Sequence, residues 1–400
     1  MYLYALTTAL LAFQGCTGNS STDPRGVTQD SSQSSEEADT ADTVTETAPP
    51  DTQDQDSGSA FDVCAPPSEA DHLFPPYPPV PPDCLQDYWS CPLEPGYATL
   101  DPTTTCNITD GYDADGAMQE ALWEAYDYAR DYFGAYGPVY VYVLGPTSAE
   151  SNLDIWHLRA ERRAVVEACV SVEDQVQSFL ADPYGIEERN AANTGEGSYF
   201  YISGNSSCNP LMELMLINPQ LEGLHTIVLH EYNHVFQVAH SLTWDRESDF
   251  GLNSWIMEGQ ATYSSALFGE ITGWGPSLAD VMMSMKNHGT PVSDTSIDDF
   301  LAEEGTFDLA DESYWSRGDS SAAVVYYQLG AWAWAYLVHE LDGDYDVVLR
   351  DYIRDVPTLG KEASFERHFG TTTKAFFETF DTFVQGDEES WRAILDAPTH

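Results

Sequence analysis

Residues 229–237 read Leu229-His230-Glu231-Tyr232-Asn233-His234-Val235-Phe236-Gln237, and this stretch restricts the chain's fold more than any other. Two histidines four residues apart lie on one face of a helix. Imidazoles so placed can share one zinc ion, and Glu231, beside the first, can act as base on a water that the ion activates. A catalytic zinc needs a third protein donor and an open fourth position. The helical pattern around the pair runs from Leu221 to His240, and the third donor must be brought to it.

Two residues compete for the third place. His240 follows His230 by ten residues, the spacing that resembles metzincins, the astacin and matrix-metalloprotease group. Those enzymes need Gly where this chain has Gln237, because the backbone turns sharply there. If the helix instead runs on through Gln237, His240 sits about 240° around from His234 and roughly 9 Å along, out of reach of the same ion. The other candidate is Glu258, in Asn253-Ser254-Trp255-Ile256-Met257-Glu258-Gly259-Gln260-Ala261-Thr262-Tyr263. It lies 24 residues beyond His234, which suits a second helix returning antiparallel after a loop.

The Trp-x-x-Glu-Gly-x-Ala-x-Tyr pattern around Glu258 resembles the second zinc segment of gluzincin metallopeptidases, the clan of thermolysin, aminopeptidase N and bacterial collagenases. The resemblance implies that His230, His234 and Glu258 hold Zn²⁺, with Glu231 as general base. It extends to Tyr326-Tyr327-Gln328-Leu329-Gly330-Ala331-Trp332, similar to the Tyr-x-x-Gly start of a helix in the clan's aminopeptidases. There the tyrosine steadies the oxyanion, a role the resemblance gives to Tyr327, with Tyr326 and Tyr263 as weaker substitutes. Gly195 to Gly204 reads as an edge strand which, by the same resemblance, would pair with an extended substrate backbone. The Gly-Ala-Met-Glu-Asn segment by which the clan's aminopeptidases grip a free amino terminus has no counterpart here, and this favours an endopeptidase. A carboxylate hydrogen-bonded to the ring nitrogen that does not meet the metal usually orients a zinc histidine. With 66 acidic residues present, the sequence does not choose one, and His225, His288, His339 and His368 stay unassigned.

Charge and cysteines bear on where such a chain works. The 400 residues carry 66 acidic against 15 basic side chains, a formal net charge of −51. Residues 17–60 account for −9 of this, leaving −42 for the rest of the chain. Such a surface disfavours nucleic acid and anionic membranes as direct partners. Met1 to Gly15 is short and apolar and ends at Gly15-Cys16, which resembles a bacterial lipoprotein signal whose cysteine is lipidated after cleavage. Its n-region lacks Lys and Arg, so an ordinary secretory signal stays open beside it. Either reading exports the protein. Beyond Cys16, the cysteines Cys64, Cys84, Cys91, Cys106, Cys169 and Cys208 form an even set consistent with three disulfides in an oxidising compartment.

Residues 17–60 are Ser, Thr, Asp, Glu, Gln and Pro with almost nothing apolar, and read as a disordered tether. Residues 61–112, with four cysteines and the cluster Pro75 to Pro82, read as an irregular lead-in. Regular structure is expected from Asp113. Met118, Ala121, Leu122, Ala125, Tyr126, Ala129 and Phe133 recur at helical spacing, and Gly134 with Gly137 ends that helix. Pro138 to Leu144 and Ser198 to Ile202 read as strands. Helices are expected over 159–181, 253–268, 276–287, 321–341, 345–354 and 372–386, with Leu329 to Val338 a buried one.

The expectation is an α+β fold, 113–400 forming a zincin-like metallopeptidase domain with a mixed sheet in its first half and helices in its second. The resemblance implies a zinc peptidase acting on a peptide or protein substrate. It would be monomeric, extracytoplasmic, and either secreted or held at the bacterial cell envelope by lipid at Cys16. The rival from another class is a non-catalytic surface lipoprotein using the fold as a binding or adhesion module.

Overall fold

The computed structural model describes residues 104–108, 115–136, 139–145, 155, 158–159, 197–203, 211–217, 219–241, 251–290, 293–317 and 319–395. The signal-like segment with Cys16, the acidic tether, most of the lead-in, the cysteine side chains and nearly all of the helix expected over 159–181 lie outside them.

Regular structure begins earlier than the helical pattern suggests. Strand β1 (Thr104–Ile108) precedes helix α1 (Ala117–Phe133), and β2 (Val139–Leu144), β3 (Gly197–Ser203) and β4 (Leu211–Ile217) follow. The sheet order is β1-β2-β4-β3, with β1, β2 and β4 parallel and β3 antiparallel at the edge. Because side chains alternate along a strand, the register of Val139, Val141 and Val143 opposite Met212, Leu214 and Leu216 puts all six on one face. That face packs into the main core. The other face carries Tyr142, Leu144, Met215 and Ile217 with Ile155. It also carries Glu213, whose buried carboxylate pairs with Arg159 at 2.9 Å. Strand β4 has no polar–apolar alternation because both its faces are covered, and its Leu and Met content favours a helix as readily as a strand.

Helix α1 buries Ala121, Leu122, Ala125, Tyr126, Ala129 and Phe133, the stripe its spacing indicates. It ends at Gly134, whose φ of 115° suits a residue without Cβ. Helix α2 (Leu224–Ala239) packs on α1 through Tyr232 set edge-on to Tyr126 and Phe236 stacked on Phe133, with centroids 4.9 and 5.0 Å apart. The Tyr232 hydroxyl also donates to Gly134 O at 2.7 Å. Helix α3 (Ser254–Thr272) follows, then α4 (Leu278–His288) and α5 (Ile297–Glu304). A 3₁₀ turn at Glu312–Ser316 and a π-helix at Ala323–Leu329 lead into α6 (Gly330–Glu340). A second π-helix, Val347–Asp351, opens the closing helices α7 (Tyr352–Leu359), α8 (Lys361–Phe369), α9 (Thr373–Val384) and α10 (Glu388–Ala393). The architecture is α+β, a mixed sheet followed by helices.

Helix α6 is apolar nearly all round because it is buried nearly all round. Its two tryptophans satisfy their indole N–H groups on backbone carbonyls, Trp332 on Met282 and Trp334 on Trp255. Among the described residues no helix is long and apolar enough to cross a membrane.

Candidate metal centre

Helix α2 continues through Gln237 without a break, and His240 lies at its C-cap. Contacts with α3 step backward as those of α2 step forward. Gln237 meets Met257 and Gln260, Asn233 meets Ser264, and Thr226 lies against Gly269. The two helices are therefore antiparallel, and Glu258 faces the histidine pair. The N-terminus of α3 is held from 58 residues away: Ser254 N donates to Glu312 Oε1 at 2.8 Å, and the Ser254 hydroxyl donates to Glu312 Oε2. Trp315 adds a hydrogen bond to Ser254 Oγ at 2.7 Å. This anchoring sets where the first turn of α3, and so Glu258, begins.

His230, His234 and Glu258 bring one ligand atom each into a single cluster. The two Nε2 atoms are 3.2 Å apart. Glu258 Oε2 stands 3.6 Å from His230 Nε2 and 3.3 Å from His234 Nε2. A tetrahedral ion with bonds of about 2.0–2.1 Å needs donors about 3.3 Å apart, so the spacing fits a small divalent cation. The chemistry fits as well: two imidazoles and a carboxylate converge on one point, where their electron pairs favour a shared cation. His230 is partly open to solvent, while His234 and Glu258 are buried.

Without a metal, a proton takes the cation's place. Burial by itself would lower the His234 pKa, but the Glu258 carboxylate, helped by Glu231 and by a hydrogen bond to Gln237, outweighs it and pushes the value up to about 9. The same contact holds Glu258 well below the usual carboxylate range, against the burial that would raise it.

Glu231 is fully buried next to His230, and its charge adds to the field on His234. Tyr327 lies on the π-helix, its ring parallel to that of His230 within 5° and 6.1 Å from it between centroids. Trp315 meets Tyr327 edge-on at 6.3 Å. Tyr326 is turned elsewhere, its hydroxyl donating to Asp311 O at 2.6 Å. Tyr263 is buried, and burial followed by nearby Glu270 raises its pKa.

Helices α3 and α6 touch backbone to backbone. A Cβ on Gly259 would fall 2.5 Å from the carbonyl carbon of Gly330, and one on Gly330 would fall 3.0 Å from Gly259 Cα. Glu258 precedes one of these glycines, and Tyr327 lies three residues before the other. The crossing thus ties the segments that carry Glu258 and Tyr327 to each other next to the histidine pair.

His240 does not join the cluster. Its Nε2 lies 3.0 Å from the Tyr136 hydroxyl, and its ring packs against Phe236. Burial, with a smaller contribution from Arg354, lowers its pKa to about 4. His225 stacks on Trp274 and pairs with Glu124, and His368 pairs with Asp355.

Sequence reasoning did not find the partner of His234. His234 Nδ1 lies 2.8 Å from Gln237 Oε1, where a carboxylate would be the usual expectation. The i, i+3 spacing on one helix was the available signal. Strand β3, within the Gly195 to Gly204 stretch read as an edge strand, is the edge of the sheet among the described residues and packs on α2. No protein-family model, curated protein or solved structure matches the chain.

Proposed function

We propose that the chain is a zinc-dependent peptidase of gluzincin type on a zincin-like fold, with His230, His234 and Glu258 as the zinc ligands. The observation that carries this reading is the convergence of those three donor atoms at tetrahedral spacing, with Glu231 buried alongside. When bound, zinc would supply a Lewis acid that polarises the scissile carbonyl and makes water acidic enough to lose a proton near neutral pH. Glu231 takes the proton of the attacking water and passes it to the leaving amine. Tyr327 donates its hydroxyl proton in a hydrogen bond to the carbonyl oxygen as that atom gains negative charge. Among the described residues strand β3 is the edge of the sheet, and this supports a substrate read through its main chain.

An endopeptidase is the favoured form, since no segment resembling an amino-terminal grip accompanies the motifs. The apolar Met1 to Gly15 stretch and Cys16 support export and lipid anchoring at a cell envelope. The test is metal content together with cleavage of an unbiased peptide library by the purified chain. One zinc per chain is expected, with cleavage abolished by a chelator and restored by zinc. A chain that binds zinc and retains peptides without cutting them would be a binding module instead.

A further inference from the structure

Gln237 and Gln260 are both fully buried, and together they tie His234 to the backbone of two other elements. Gln260 Nε2 donates to Leu349 O at 3.2 Å, which leaves Gln260 Oε1 facing Gln237. Gln237 Nε2 donates to that oxygen at 2.9 Å and to Met257 O at 2.9 Å, with Ile256 O at 3.4 Å. Backbone carbonyls accept and cannot donate, so Leu349, Met257 and Ile256 fix the orientation of both amides. The amide group of Gln237 that faces His234 must then be its carbonyl, at 2.8 Å from Nδ1. A carbonyl oxygen there requires a proton on Nδ1. When the ring is neutral, as binding a metal requires, its lone pair is thereby placed on Nε2, the atom that faces Glu258 and His230.

We infer that Gln237 is a positioning residue that locks His234 in the Nδ1–H tautomer and ring orientation needed to bind the metal. This rests on the metal-centre reading above. The arrangement differs from the usual carboxylate partner in carrying no charge, and its other end is bonded to the carbonyls just before Glu258. One side chain therefore holds a ligand on α2 and registers the helix that bears the next ligand. A carboxylate in its place would point an oxygen at Met257 O and Gln260 Oε1 instead of a donor. Glutamate is consequently not a conservative replacement here, despite its similar shape.

The test uses the full chain with ¹⁵N-labelled histidine, loaded with zinc. Two-bond proton–nitrogen correlation should show His234 metal-bound through Nε2, with a slowly exchanging proton on Nδ1. Gln237→Met and Gln237→Glu should each weaken zinc binding by about 10–100-fold in competition with a chromophoric chelator, and speed exchange of the Nδ1 proton. Zinc affinity within twofold of wild type in Gln237→Met would overturn the inference, as would His234 bound through Nδ1. Because ligation through Nδ1 is read on the wild type, the inference can be overturned even where a variant fails to fold. A wild-type chain that takes up no zinc would refute the metal reading and this inference with it. Zinc uptake without peptide cleavage would refute the peptidase and leave the role of Gln237 standing.

Discussion

Gly259 and Gly330 bring two helix backbones into direct contact beside the metal cluster, the Cα of one standing 3.0 Å from where the other's Cβ would be. Alanine normally stabilises a helix interior over glycine by about 1 kcal/mol. Here the added methyl has backbone on its far side, and overpacking costs about 1–3 kcal/mol. The clash should win. Gly259→Ala, with the closer contact, is expected to lower stability more than Gly330→Ala in urea unfolding. Variants as stable as wild type would show that α3 and α6 do not cross at this point.

Zinc uptake should depend on pH through His234. With its pKa raised to about 9, His234 is protonated at neutral pH in the metal-free protein, and zinc must displace that proton. Apparent affinity should therefore rise about tenfold per pH unit from about pH 7 to about 9, then level off. Chelator competition across this range measures the slope, and calorimetry in buffers of different ionisation heat counts the proton. A flat profile would mean that His234 is neutral before the metal arrives.

His240 and Glu258 are separated by one pair of substitutions. Glu258→Gln should lose zinc, whereas His240→Gln should keep one zinc per chain by elemental analysis. The result that restores the metzincin-like spacing is the reverse one, zinc lost with His240 and kept without Glu258.

His240 also makes an acid-stability prediction. Its folded pKa of about 4 lies below the ordinary value of 6.5, so the unfolded chain binds the extra proton between those limits. The contribution is complete above about pH 6.5 and fades as pH falls toward 4, amounting to about 3 kcal/mol at most. Denaturation midpoints should fall over this window in wild type and less steeply in His240→Gln. Equal slopes would show that His240 is not buried in its neutral form.

Glu231→Gln is expected to retain zinc and lose peptide cleavage, because the amide cannot take the proton of the attacking water. Tyr327→Phe should lower kcat by about 10²–10³-fold with a smaller change in KM, the signature of a donor used mainly at the transition state. Steady-state kinetics on a cleaved library peptide supplies both numbers. Undiminished activity in Glu231→Gln would end the proposed mechanism, and an unchanged kcat in Tyr327→Phe would move the donor role elsewhere.

Several features were legible along the chain because their signals are local. The stripe from Ala121 to Phe133, the helix through Gln237 and the buried character of Leu329 to Val338 follow from spacing and composition. Strand β4 was not legible, since Leu and Met covered on both faces leave no alternation to read. Helices α5, α8 and α10 are short and mostly solvent-facing, so their apolar stripes are thin.

By itself the amino-acid order determined that His230 and His234 share a helical face, that Gln237 lets that helix continue, and that Glu258 stands on a later helix. Those are consequences of a 3.6-residue repeat and of backbone preference, both of which act within a few residues. Tertiary structure alone decided that Glu258 meets the pair at ligand spacing and that Tyr327 lies alongside His230. It also decided that the partner of His234 is a neutral amide pinned to the carbonyls of Met257 and Ile256 and, through Gln260, of Leu349. Apart from the His234–Gln237 pair, which lies on one helix, these contacts join residues on different elements, and their geometry is set by how closely helix backbones can approach, as at Gly259 and Gly330.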